Sequence, residues 1–200
     1  RTLAAMRQKQ REHRWFRWPQ PLLLGRRVLL VGIGHISRLL AGKCKAMGMH
    51  VTGITSSPAP VEGFDAVLGR SQLAEAAAQA DFVVVLAAHD ARTHHLVGAK
   101  VLPVMRPSAC LINLARGGVI DEQALIEALR SHAIAGAALD VFNVEPLPQD
   151  SELWDLPNVI LTPHVGGYSD TYAQQVLPML LQNLALMCSG TTEGLVNRVR

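Results

Sequence analysis

Long apolar runs are missing from this sequence. The longest wholly apolar stretch, Phe82 to Ala88, is far too short to cross a bilayer, and the first residues lead into a basic segment where a signal peptide would need an apolar one. Cysteine is scarce: Cys44, Cys110 and Cys188 form no C-x-x-C pair and no disulfide-framework spacing, which points away from an oxidising compartment. A cytoplasmic protein that does not span a membrane is the expectation. There is no H-E-x-x-H and no Cys/His cluster, so no metal site is expected. His94 and His95 are adjacent and would face different directions in any regular element. His13, His50, His89 and His132 read as surface residues. Aromatics make up only 4% of the chain and charged residues 18%, whereas 49% is hydrophobic, enough for one sizeable core among 200 residues and against a disordered chain.

The net charge of +3 comes from one place. Arg7, Lys9, Arg11, Arg14 and Arg17 crowd a segment that holds only Glu12 against them, interleaved with Trp15, Phe16 and Trp18. A nucleic-acid arm with stacking aromatics has this composition. The favoured reading is a solvated helix that docks its aromatic residues on a neighbouring domain and ends before Pro19 and Pro21.

From Arg26 onward, apolar runs rich in Val, Ile and Leu alternate with helical patterns. The runs are Val28 to Val31, Val51 to Ile54, Phe82 to Leu86, Ala109 to Asn113, Ile134 to Val141 and Val159 to Leu161; continuous apolarity is what strands covered on both faces require. The predicted helices are Ile36 to Met47, Leu73 to Ala80, Asp121 to Ser131 and Ser169 to Cys188, with Ser71 and Asp121 placed to cap the second and third. The alternation predicts an α/β fold with a doubly wound parallel sheet.

The first strand runs into Gly32-Ile33-Gly34-His35-Ile36-Ser37, a G-x-G-x-x-G pattern with serine in the third glycine place. Bare backbone there permits a tight turn and lets a pyrophosphate approach the amides at a helix N-terminus. At the end of the second strand, where an acid would take ribose hydroxyls, stand Thr55, Ser56 and Ser57. Removing that carboxylate removes its repulsion of a 2′-phosphate, and a cation to hold the phosphate would have to come from Arg38 or Arg70.

Three later segments each put one ionisable group just past an apolar strand. They are Asn113-Leu114-Ala115-Arg116-Gly117, Asp140-Val141-Phe142-Asn143-Val144-Glu145-Pro146 and Thr162-Pro163-His164-Val165-Gly166-Gly167. An Arg can hold a carboxylate bidentately, a His exchanges a proton near neutrality, and a carboxylate beside it supports the imidazolium.

On these segments, from Gly25 to about Asn197, the chain resembles the D-isomer-specific 2-hydroxyacid dehydrogenases. That family includes glyoxylate/hydroxypyruvate reductases and phosphoglycerate dehydrogenases, and its N-x-A-R-G, D-V-F-x-x-E-P and T-P-H-x-G motifs match in order. The resemblance implies a Rossmann-type domain with NAD or NADP as cofactor. Arg116 would anchor a 2-oxoacid, His164 would donate and accept the proton, and Glu145 would orient His164. Gly32, Gly34, His35 and Ile36 would lie at the pyrophosphate, Thr55 and Ser56 at the ribose, and Leu114, Ala115, Arg116, Asp140, His164, Gly166 and Gly167 at the nicotinamide side. It also implies a homodimer, a dinucleotide-binding domain over residues 25–168 with a linker helix from a substrate domain at residues 1–24 and a C-terminal helix and tail at residues 169–200, and that most of the substrate domain is absent from these 200 residues, so that the chain alone would be inactive. The family's L-P-L-T-P-E-T loop appears as Ala87-Ala88-His89-Asp90-Ala91-Arg92-Thr93, without its shaping prolines. A different class of function, a cofactor-sensing corepressor-like protein without turnover, shares the fold and the motifs.

Overall fold

The computed structural model describes residues 2–197 and divides into two compact units, residues 1–163 and 164–200. The first unit is built on seven parallel strands: β1 (Arg27–Val31), β2 (His50–Thr55), β3 (Ala66–Gly69), β4 (Phe82–Val85), β5 (Cys110–Asn113), β6 (Gly136–Leu139) and β7 (Val159–Leu161). Their order across the sheet is β3-β2-β1-β4-β5-β6-β7, so the chain starts in the middle, builds outward one way and then the other. That reversal between β1 and β4 is the switch point of an open α/β sheet, where ligands bind beyond the strand ends.

Side-chain alternation explains why both faces are covered. Leu29, Val31, Val83 and Val85 enter one core with Leu73 and Ala77 of α3 (Leu73–Gln79) and Leu125 and Leu129 of α4 (Glu122–Arg130). Their neighbours Val28, Leu30 and Val84 point the other way, into a smaller core with Ala41 and Cys44 of α2 (His35–Ala46). A strand buried on both sides cannot spare a polar residue, hence the continuous apolar runs. Burial also pushes the Cys44 thiol pKa up.

The boundaries differ from expectation in identifiable ways. Strand β3 was not anticipated, because Ala66-Val67-Leu68-Gly69 is a four-residue edge strand between Asp65 and Arg70 with no long apolar run. The segment Ile134 to Val141 contributes only Gly136–Leu139 to the ladder. Asp121 caps α4, its carboxylate accepting from the Ala124 N–H at 3.1 Å, but Ser71 does not cap α3: it lies inside a 3-10 turn over Arg70–Gln72 that precedes that helix. The N-terminal helix α1 (Thr2–Arg11) stops well before the prolines, with His13 in a left-handed conformation (φ 53°), and leaves Trp15 exposed. Part of the basic charge there is matched locally, since Lys9 and Arg14 both pair with Glu12 and lower its pKa. In the second unit α5 spans Tyr172–Cys188, three residues shorter at its start than expected, and accommodates Pro178 in its interior.

Two glycines let loops at the sheet's C-terminal edge close onto neighbouring backbone. Gly32, at φ 98°, lies so near the next loop that an added Cβ would sit 2.6 Å from the Ala87 Cα. At Gly117 a Cβ would meet the Phe142 carbonyl carbon at 2.0 Å. Backbone on both sides leaves nothing flexible to yield, so Gly117→Ala should destabilise the chain by roughly 2–3 kcal/mol, a cost typical of overpacking. Urea denaturation that finds less than about 0.5 kcal/mol, the scatter of surface substitutions, would show that the Arg116–Gly117 turn is not held against Phe142.

Candidate dinucleotide and substrate site

Strand β1 delivers the first turn of the site. Gly32 donates its N–H to the Ile54 carbonyl at 2.9 Å, and Gly34, extended at φ −117°, begins α2 without any side-chain cap. The first amides of that helix therefore face outward as donors, the arrangement that attracts phosphate. Unlike Gly32, Gly34 has nothing within 4 Å of where a Cβ would be, so the turn encloses open space. His35 and Ile36 are exposed beside it. Ser37, in the third glycine place, is buried and its hydroxyl donates to the Gly32 carbonyl; the substitution ties the turn to the helix where a glycine would leave it bare. Thr55 ends β2 half-buried, and Ser56 follows it, exposed.

The loop after β5 owes its shape to Asn113. This buried side chain donates to the Arg116 carbonyl at 3.1 Å and accepts from the Ala115 N–H at 3.1 Å. The chain is thereby folded so that Ala115 and Gly117 turn inward while Leu114 and Arg116 are exposed. Arg116 Nη1 donates to the Ala115 carbonyl at 2.6 Å. Beyond β6, Asp140 is buried; its carboxylate accepts from the Thr162 hydroxyl, joining the end of β6 to the residue after β7. Glu145 is exposed and accepts from the Phe142 N–H at 3.0 Å, which fixes one oxygen of the carboxylate against the same backbone that Gly117 touches.

Thus Gly32, Gly34, His35, Ile36, Thr55, Ser56, Leu114, Ala115, Arg116, Asp140 and Glu145 all follow the C-terminal ends of β1, β2, β5 and β6, or close them, within the first unit. His164, Gly166 and Gly167 open the second. His164 has φ 53°, a backbone conformation uncommon outside glycine. His13, His95 and His132 share it, so the strain marks His164 only together with its motif.

Four side chains that hold this edge were not singled out from sequence: Asn113, Thr162, Asp90 and Thr93. The last two replace the missing prolines. Asp90 accepts from the N–H groups of Arg92 (2.7 Å) and Thr93 (3.1 Å), and the buried Thr93 hydroxyl donates to the Ala88 carbonyl at 2.7 Å. The Arg92 guanidinium, 2.9 Å from Asp90, and the Arg92 N–H hold the carboxyl pKa down to about 2, so the loop keeps its charged clamp through the whole neutral range. His94 and His95 fall outside any regular element. They lie in a turn, with His95 at φ 51°, and their rings stack with centroids 3.9 Å apart. His89 hydrogen-bonds His94 at 3.2 Å, and its ring lies where a Cβ on Gly118 would be, two residues beyond Arg116. No group of three or more His, Cys, Asp or Glu among the described residues has the arrangement of a metal site, and none of the described helices is long and apolar enough to cross a membrane.

Comparison with known proteins agrees with this geometry. The chain is 34% identical over 166 residues to a glyoxylate reductase from Thermococcus gammatolerans, covering 83% of this chain and 49% of that protein. It is 46% identical over 121 residues to a glyoxylate/hydroxypyruvate reductase B from Pectobacterium carotovorum, covering 60% of this chain and 38% of the relative. The chain therefore spans about half or less of the length of these curated relatives. Among solved structures, a D-isomer specific 2-hydroxyacid dehydrogenase from Xanthobacter autotrophicus, in complex with NADPH and MES, superimposes with a TM-score of 0.87 at 33% identity, covering 99% of this chain and 80% of that one. Residues 1–166 match the family model for the NAD binding domain, and the chain belongs to the D-isomer specific 2-hydroxyacid dehydrogenase family.

Proposed function

We propose that this chain is the dinucleotide-holding part of an oxidoreductase that interconverts small 2-oxoacids and 2-hydroxyacids, with NAD or NADP as cofactor. The observation that carries the reading is the open turn at Gly34: uncapped amides of α2 face a space that no side chain fills. A pyrophosphate suits it in charge.

A nicotinamide held here would supply hydride chemistry at the carbon that is keto in one reactant and hydroxyl in the other. Arg116 is assigned to hold the substrate carboxylate through paired N–H donors, with Asn113 setting the loop that presents it. His164 gives a proton to the developing alkoxide oxygen during reduction and takes it back during oxidation. Glu145, steadied by the Phe142 N–H, is assigned to orient His164. Glyoxylate and hydroxypyruvate are the substrate class named for the relatives, and it is proposed for the longer protein in which this domain works.

The turn can be tested without disturbing the fold. Gly34→Ala places a methyl group in open space at an ordinary φ, so stability should change by less than about 0.5 kcal/mol, while NADH and NADPH affinity falls roughly tenfold or more. Unchanged affinity for both would remove the pyrophosphate from this turn.

Residues 1–200 by themselves should bind cofactor without reducing glyoxylate, because catalysis needs a closed, water-poor cleft. In a longer form that does turn over, His164→Ala and Arg116→Ala should each lower kcat/KM by about 100-fold or more, and Glu145→Gln by about tenfold or more. A kcat/KM within about twofold of the unmodified protein takes Glu145 out of the role. Cofactor binding with no turnover in that longer form would favour the corepressor-like sensor.

A two-fold dimer belongs to the same proposal. Helix α5 carries no charged residue over Tyr172–Cys188 and leaves Leu177, Leu180, Leu181, Leu184 and Met187 exposed, while Ile160 of β7 is also exposed. Apolar surface of this kind is usually covered. Sedimentation velocity at micromolar concentration should show a dimer; monomer alone would count against it.

A further inference from the structure

The end of β2 lacks both groups that ordinarily decide between the two dinucleotides. Thr55 leaves no carboxylate for the ribose hydroxyls, and Ser56-Ser57-Pro58 leaves no cation for a 2′-phosphate. The edge strand supplies one. Thr55 pairs with Gly69 in parallel register at the end of the ladder, and Ser56 and Arg70 are the residues that follow them. The two segments adjoin, since a Cβ built on Gly69 would lie 4.0 Å from Pro58 Cγ. The backbone at this point is fixed by Gln72, whose side-chain oxygen accepts from the Gly69 N–H at 3.2 Å.

The Arg70 side chain is half-buried and donates from Nη1 to the Arg92 carbonyl at 3.5 Å, on the loop that follows β4. Strands β2 and β1 lie between β3 and β4, so this contact spans the C-terminal edge of the sheet past the ends of β2 and β1. A contact at the long limit of a hydrogen bond yields readily to a phosphate, and a guanidinium offers five N–H donors. Two of the neighbouring acids are committed elsewhere, while Glu62 is exposed on the loop between β2 and β3. Asp90 is paired with Arg92, and Asp65 accepts from Lys45 (2.6 Å) and the Val51 N–H (2.7 Å) toward the opposite end of β2. Arg38, the other cation that the sequence brought forward, is exposed on α2, with no strand register placing it beside Ser56.

We propose that Arg70 is the specificity-determining residue for the cofactor: it clamps the 2′-phosphate of NADP(H), with the Ser56 and Ser57 hydroxyls as further donors, and makes NADPH the preferred ligand. This rests on the reading that the β1–α2 turn binds a dinucleotide.

The test is fluorescence titration of NADPH and NADH into the 200-residue chain and its variants. The unmodified chain should bind NADPH about tenfold tighter than NADH or more. Arg70→Gln should weaken NADPH about fivefold or more while NADH changes less than about twofold, Arg70→Lys should recover part of the ratio, and Thr55→Asp should turn it toward NADH. Arg38→Gln should leave the ratio alone. The proposal is overturned by an unchanged ratio in Arg70→Gln, by equal loss of both cofactors, which would make Arg70 a brace for the Arg92 loop, or by collapse of the ratio in Arg38→Gln. NADH binding tighter in the unmodified chain overturns it too while sparing the dinucleotide reading; saturable binding of neither cofactor overturns both.

Discussion

Backbone packed directly against backbone is the constraint on which this site depends. At Gly32 and Gly117 the chain passes a neighbouring loop at distances that leave no room for even one carbon atom. The first contact brings the β1–α2 turn against the loop after β4, and the second lays the Arg116 turn on the Phe142 segment that also holds Glu145. Loops pinned through their main chains have little freedom to adjust, so groups they carry are placed by the sheet's register and not by their own rotamers. The parallel sheet contributes the rest, because every strand then ends at the same edge.

Charge is distributed along the strands with the same economy. At the edge where strands begin, Asp81 accepts from the Arg27 N–H at 2.8 Å and pairs with Arg26, and Asp65 does the corresponding work for Val51 and Lys45. Hydrogen bonds from Lys45 and then Val51 lower the Asp65 pKa. Those carboxylates compensate exposed donors at strand starts. At the opposite edge, Asp90 and Asp140 are bound to Arg92 and Thr162, while the first amides of α2 have no side-chain cap.

Much of this was legible in the sequence because burial on both faces writes itself as uninterrupted Val, Ile and Leu. Six of the seven strands and the succession of helices could be read that way, and the Arg116, Glu145 and His164 motifs each stood where a strand ends. Strand β3 was hidden since an edge strand has one neighbour and need not be apolar throughout. The helix expected to reach the prolines at 19 and 21 stopped at Arg11, where ion pairs to Glu12 and the left-handed His13 end it, features without a periodic pattern. Ser37 looked like a flaw in the glycine motif, and only the Gly32 carbonyl at its hydroxyl reveals what it does. Asn113 and Asp90 were equally silent. A polar residue in a loop has many possible partners, and only the folded chain selects among them.

Strand β7 has a consequence for when the site is intact. It is three residues long, pairs only with β6, and its Ile160 is exposed, whereas β1 lies in the middle of the sheet with its core fully buried. Amide protons along β7 will exchange with solvent through small local openings, those of β1 through near-global unfolding. The chain immediately after β7 leads through Thr162 and Pro163 to His164, so this histidine follows an edge strand and the Gly32–Gly34 turn an interior one. As denaturing conditions strengthen, the segment leading to His164 loosens while the Gly32–Gly34 turn still stands.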